Sequence, residues 1–207
     1  MLYLSGAITP MRDDRVGYML TYKIGQMPPD GYWWAADNGC YPKGDFDIKK
    51  HERWLEKALA IAGEKCLFVV VPDIPFDGDG TLRRFHEYKE RFGTYGVPLA
   101  LVIQDGMGTE DIPWRDVSSI FIGGSTEWKM GHEAAAIVSM AKQRGMWTHM
   151  GRVNSYKRLA IAASMGCDSV DGTYLKYGPE TNWKRLMGWL DKHASQPTMK
   201  LQTGAAS

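Results

Sequence analysis

The sequence predicts an α/β fold, specifically a small (β/α)8 TIM-like barrel in a single domain. Three observations predict it. Short apolar runs alternate with helical patterns almost throughout, which argues for parallel strands joined by βαβ units. The runs CLFVVV and PLALVI are apolar nearly end to end, as strands buried on both faces are. The runs also end in polar residues or glycines: AADNG at Asp37, VVVPD at Asp73, LVIQDG at Gln104 and Asp105, IFIGGS at Gly123 and Gly124, and GCDSVDGT at Asp168 and Asp171. Functional groups at the C-terminal ends of successive strands build the active site of a β/α barrel. Any one Asp-Gly after a strand reads equally well as a turn. Five such endings in 207 residues carry more weight than one. Right-handed crossovers leave an open doubly wound sheet or a closed barrel. Seven or eight strands in about 190 residues suit a small barrel.

The elements follow in order. Residues 2–6 read as the first strand and 32–36 as the second, ending at Asp37-Asn38-Gly39. From Asp47 to Gly63, Ile48, Trp54, Leu55, Ala58, Leu59 and Ile61 recur at helical spacing, and Gly63 is a stop. Residues 66–71 form a buried strand, 81–92 a charged amphipathic helix, and 98–103 another buried strand. After Gly106 the helical unit is degenerate, with Pro113 and Trp114 in an irregular segment. Residues 119–122 are a strand, 127–144 a helix, 146–150 a strand and 155–165 an alanine-rich helix. Residues 168–174 pass from strand to loop, and 181–192 are the last helix. The domain is expected to span residues 1–195, with 196–207 a polar, flexible tail.

Composition narrows the function. Hydrophobic residues make up 44% of the chain, enough for a full core. The net charge of +1 is no footprint of a protein that coats nucleic acid, although a local basic patch remains compatible with it. Cys40, Cys66 and Cys167 are far apart and odd in number, with no CxxC and no Cys/His cluster. Neither a disulfide framework nor a zinc subdomain is expected, and reduced thiols point to a cytoplasmic protein. No run approaches a membrane span, and the first residues, MLYLSGAITPMRDD, are not expected to act as a signal peptide. No metal or other cofactor is expected. The eight tryptophans read mainly as packing residues, with room for one or two to stack on a base.

Two acids facing one pocket allow displacement at an anomeric carbon, one attacking while the other moves protons. A carboxylate, an amide and backbone N–H groups also match the edge of a guanine. Asp73 would accept from the ring N–H and exocyclic amine, and Gln104 with the Gly123 and Gly124 amides would donate to the carbonyl oxygen. Glycines there let the backbone approach a flat ligand.

The ordered set ADNG, VVPD, VIQDG, FIGGS, HMGRV and GCDSVDG resembles the catalytic core of the tRNA-guanine transglycosylase family. That family has DSGG, FDE, IQG, AVGG, LMGVG and GVDxFDC in corresponding places. The resemblance covers roughly residues 30 to 175; each motif is weak alone, and the ordered set is strong. It implies a barrel that exchanges guanine in a polynucleotide for a 7-deazaguanine base through a covalent intermediate. By the same resemblance, Asp171 is the nucleophile and Asp37 the proton-transfer acid. Asp73 and Gln104 recognise guanine, Gly124 is a backbone donor, and Met150 lies in the segment covering the base. Asp168 is a supporting residue. The family's C-terminal zinc site has no counterpart here, and STEWK stands where LAVGE is usual. A short, zinc-free core is more similar to the bacteriophage deazapurine DNA modification proteins, the DpdA family, which implies DNA as the partner rather than tRNA.

The remaining candidates are read as follows. Lys129, Arg152, Lys157 and Arg158 either touch phosphates or are solvated charges, and Lys176 joins Arg152, Lys157 and Arg158 as a candidate for the nucleic-acid rim. Glu127 either meets the exocyclic amine or caps the following helix. His149 has no metal-ligand spacing and reads as a satisfied neighbour. Cys40 and Cys167 read as packing residues. Hydrolysis of the same intermediate would use identical residues. A silent guanine-strand binder would not need both Asp37 and Asp171.

Overall fold

Strands apolar on both faces need cover on both, and closing them into a cylinder wrapped by helices supplies it. The computed structural model describes residues 1–194, and its eight strands close in chain order with every pairing parallel. They are β1 (Leu2–Ser5), β2 (Val16–Thr21), β3 (Trp34–Asp37), β4 (Cys66–Val70), β5 (Leu99–Ile103), β6 (Ser119–Ile122), β7 (Trp147–Met150) and β8 (Ser169–Gly172). β8 closes the ring on β1, with Leu4 opposite Asp171 and Ser5 opposite Gly172. The interior is packed by Leu4, Met19, Ala35, Phe68, Val70, Ala100 and Val102. A second, larger cluster fills the layer between strands and helices.

Five helices cover the outside: α1 (Ile48–Ala62), α2 (Gly78–Gly93), α3 (His132–Gln143), α4 (Tyr156–Met165) and α5 (Pro179–Ala194). Their starts follow local chemistry. Asp47 accepts from Lys50 N at 3.0 Å, Asp77 from Gly80 N at 2.8 Å and Ser155 from Arg158 N at 3.4 Å, each satisfying an N–H that the first helical turn leaves free. Gly166 ends α4 at φ 92°, where only glycine is unstrained. As expected, no α-helix follows β5. The expected tail at 196–207 lies outside the described residues. Among the described residues, no helix is long and apolar enough to cross a membrane, and no three His, Cys, Asp or Glu side chains converge as a metal site.

Two expectations change. The eighth strand is β2, whose VGYMLT lacks the flanking helices that identify the other strands. Gly17 is what lets it close up: a Cβ there would sit 2.3 Å from Trp33 O and 2.9 Å from Leu4 Cδ2. The expected 127–144 helix is split into a 3-10 turn (Trp128–Met130) and α3, with Gly131 extended at ψ −179° between them. Glu127 makes no side-chain cap there. The split is tied to Lys129, which is fully buried and donates to Gly151 O at 2.6 Å.

His51 on α1 is also fully buried, and neither ring nitrogen has a partner. It sits among Tyr22, Phe46, Trp54 and Phe92, with ring centroids 5.3–5.9 Å away. Burial pushes its pKa down to about 4 from 6.5. As pH falls below 6.5 the unfolded chain takes up this proton and the folded chain does not until about 4. Stability is therefore present above 6.5 and lost as pH falls toward 4, by up to about 3 kcal/mol at about 1.4 kcal/mol per unit. His51→Phe is expected to flatten that acid limb in urea melts between pH 7 and 4.5. An unchanged limb assigns the acid sensitivity elsewhere.

Candidate active site at the barrel mouth

Because side chains alternate along a strand, the residues at or just past the strand ends meet over the barrel axis. They line a cavity of about 630 Å³ whose walls include Asp37, Asp73, Gln104, Gly123, Gly124, Arg152, Arg158 and Asp171. Eight of the eleven residues expected at the site therefore converge.

Asp73 is the most constrained carboxylate. It is buried, and each oxygen takes an amide: Oδ1 from Asn38 Nδ2 at 2.9 Å and Oδ2 from Gln104 Nε2 at 2.6 Å. Arg84 donates to the Asp73 carbonyl at 2.8 Å and so fixes its backbone. Burial raises the Asp73 pKa, and the two amides oppose that rise. The Cys40 side chain adds a third hydrogen bond to this carboxylate and also opposes the rise.

Gln104 is held from its other end. Its Oε1 accepts from Gly124 N at 2.7 Å and Phe76 N at 3.1 Å. The N–H of Gly123 donates to Ile103 O at 3.0 Å. This corrects the expected role of the glycine pair. Their N–H groups are already used inside the protein, one of them to orient Gln104, rather than aimed at a base. Their small size still matters, since a Cβ on Gly123 would lie 2.6 Å from Val102 Cγ1 and one on Gly124 2.7 Å from Trp128 Cε3.

Asp37 ends β3 and accepts from Gly39 N at 2.8 Å. Burial, reinforced by the charges of Asp171 and Asp73, pushes its pKa up to about 7, against the pull of the Gly39 N–H and of Lys23. Asp37 thus exchanges its proton near neutrality, which suits a general acid/base. Asp171 lies near the end of β8, and Oδ1 accepts from His149 Nε2 at 3.0 Å and Arg152 N at 3.3 Å.

Asp168 is at the opposite, N-terminal end of the four-residue β8. It pairs with Lys142 at 2.6 Å and accepts from Thr148 N at 2.8 Å, a supporting role. The sequence had placed both acids at one strand end; the acids that share the cavity are Asp37, Asp73 and Asp171. Asp105 ties two loops together by accepting from Ser125 N at 2.7 Å.

Three expected residues are not at the cavity. Met150 is fully buried in the outer core, because β7 turns Trp147 and His149 inward and Met150 outward. Lys157 on α4 and Lys176 beside Tyr177 are exposed and do not line the wall. Lys129, with a phosphate contact or a solvated charge as its alternatives, is instead a buried cation. Its pKa falls to about 8, first through burial and then through Arg152.

Arg152 crosses the mouth. Its guanidinium donates to Gly124 O and lies 4.7 Å from the Tyr41 ring centroid and 5.9 Å from that of Phe76. Both rings are about half exposed, at 55% and 48%, and both line the cavity. Arg152 and Phe76 hold positive φ, at 59° and 67°, a cost that non-glycine residues carry mainly at functional sites. No tryptophan lines this cavity, so its aromatic surfaces are Tyr41, Phe76 and Phe121. The sequence reading missed Asn38, Lys23, Tyr41 and Phe76. Asn38 was legible as the neighbour of Asp37 in ADNG, whereas the loop residues carry no periodic signal.

No family model matches the chain, and no curated protein matches it. Solved structures similar to it include a methylaspartate ammonia lyase variant from Clostridium tetanomorphum, at 14% identity and TM-score 0.43, covering 89% of this chain and 45% of that one. The Amycolatopsis orientalis BexX/CysO complex is similar at 15% identity and TM-score 0.47, covering 99% and 84%. The Bacillus subtilis YkuI protein, which has an EAL domain and was solved with c-di-GMP and calcium, is similar at 12% identity and TM-score 0.42, covering 89% and 45%. The chain thus spans less than half the length of the lyase and of YkuI. None of these likenesses bears on the chemistry of the cavity.

Proposed function

We propose that this chain is a DNA guanine transglycosylase, which exchanges guanine in a DNA strand for a 7-deazaguanine base through a covalent aspartyl-glycosyl intermediate. The observation that carries the reading is Asp73, an acceptor-only carboxylate locked by Asn38 and Gln104 in the cavity that also holds Asp37 and Asp171. A carboxylate that only accepts is the chemical match for the adjacent N–H donors on the edge of guanine. Asp171 attacks C1′ of the target nucleotide as the bond from C1′ to guanine breaks. Asp37, protonated over part of the neutral range, gives its proton to the departing base. The incoming base then returns a proton to Asp37 as its nitrogen attacks C1′, and Asp171 leaves as a free carboxylate. Two displacements retain configuration.

DNA as the polynucleotide rests on the resemblance to the DpdA proteins. Arg152 and Arg158 at the cavity supply charge for phosphates, and the aromatic rim of Tyr41 and Phe76 supplies faces for an unstacked base. Incubation of guanine-containing oligonucleotide with labelled 7-deazaguanine tests the reading. Incorporation into DNA supports it. Free guanine with an abasic product indicates hydrolysis instead, and labelling of tRNA with none of DNA moves the reading to tRNA.

Asp73 also predicts base selection. A hypoxanthine lacks the exocyclic amine and leaves an acceptor on this buried carboxylate unpaired. Guanine sites are expected to be preferred over hypoxanthine sites by about 1–3 kcal/mol in kcat/KM. Equal use of both would remove Asp73 from recognition.

A further inference from the structure

We infer that His149 is a positioning residue for Asp171, clamping Oδ1 and leaving Oδ2 as the oxygen that attacks. The inference builds on the transglycosylase reading above. His149 is fully buried on the inner face of β7, between Phe68 at 5.3 Å and Phe121 at 4.7 Å, and so is held as a rigid ring. Its Nε2 meets Asp171 Oδ1 at 3.0 Å and its Nδ1 meets Ser169 Oγ at 2.8 Å. Ser169 is also fully buried and already accepts from Trp147 Nε1 at 2.8 Å.

That chain fixes the tautomer. The Ser169 hydroxyl hydrogen needs an acceptor in a buried site, and His149 Nδ1 is the one within reach. Nε2 then carries the ring proton and donates it to Oδ1. Arg152 N, at 3.3 Å, also donates to Oδ1, so both hydrogen bonds to this carboxylate fall on one oxygen. Oδ2 forms the bond to C1′. In the resulting ester Oδ1 is the carbonyl oxygen, and it still accepts from His149 Nε2–H. The proton never leaves His149, and the same hydrogen bond supports the carboxylate when it departs. Lys129, Arg152, Asp37 and Tyr3 also act on Asp171, yet none of them donates a side-chain hydrogen bond to it.

The first test needs no substrate. ¹⁵N NMR of the intact protein is expected to show His149 as the neutral Nε2–H tautomer. His149→Phe, which keeps the packing between the two rings, is expected to shift the Asp171 carboxyl ¹³C signal. A proton on Nδ1 with none on Nε2 overturns the inference. The second test is kinetic. His149→Phe is expected to slow adduct formation by roughly 10²-fold at unchanged KM, as misplacement of a reacting group does. His149→Gln, which restores an N–H donor, should recover part of that loss. Ser169→Ala, which frees the tautomer without touching Asp171, should slow the same step. A wild-type rate in a folded His149→Phe overturns the inference. If the wild type forms no adduct with any polynucleotide, the transglycosylase reading fails, and the NMR result alone decides the role of His149.

Discussion

Asp171→Asn is expected to lower turnover by about four orders of magnitude or more while leaving the fold intact. The size of the effect follows from losing covalent catalysis, since an amide cannot attack an anomeric carbon as a carboxylate does. The fold survives because an asparagine carbonyl oxygen can still accept from His149 Nε2 and Arg152 N, which both bond to Oδ1 in the native protein. Without the second base, the wild type is expected to accumulate a denaturation-resistant protein–oligonucleotide adduct, visible by gel and mass spectrometry. The variant should form none. An adduct of normal yield on Asp171→Asn would move the nucleophile to another residue.

Asp37 carries the second large effect. Its carboxyl titrates at about 7 because burial and the charges of Asp171 and Asp73 disfavour the anion. As general acid it must hold its proton when guanine leaves, so kcat/KM should fall as pH rises above about 7. Asp37→Asn is expected to cost about 10²–10⁴-fold in kcat, with little change in binding, and to remove that alkaline limb. Stability moves the other way. A carboxyl whose folded pKa is raised adds stability that is complete below its unfolded value of 3.8 and is lost as pH rises through about 7. At pH 8 the native Asp37 is a partly buried anion, so Asp37→Asn should raise Tm there while slowing exchange. A variant that loses binding but keeps its maximal rate would make Asp37 a contact residue only.

Much of the candidate site was legible because barrels place functional groups at one kind of position. Asp37, Asp73, Gln104, Gly124 and Asp171 each follow or end an apolar run, and closure brings all five to one cavity. The helix starts at Asp47 and Ser155 were legible for a similar reason, since a helix start depends on residues within a few positions of itself, and the structure shows both side chains capping there. β2 was not, because VGYMLT is flanked by loops instead of helices and has a glycine in the middle. The loop residues Tyr41 and Phe76 were not either, since their approach to Arg152 depends on the loops after β3, β4 and β7.

The sequence by itself therefore determined the (β/α)8 class, the chain order of most strands and helices, and which polar residues stand at strand ends. These are short-range properties, written in the alternation of apolar runs and helical periods. Only the tertiary structure decided which way each strand faces. β7 is four residues long and buried on both faces, so WTHM holds no alternation that could distinguish the inward His149 from the outward Met150. Closure of β8 onto β1 and of β7 onto β8 sets that choice. The same closure decided that Gly124 N–H serves Gln104, that Lys129 is buried against Gly151, and that Asp168 and Asp171 lie at opposite ends of one strand. Each depends on pairing between residues distant in the chain, and no local pattern encodes the register of a closed barrel.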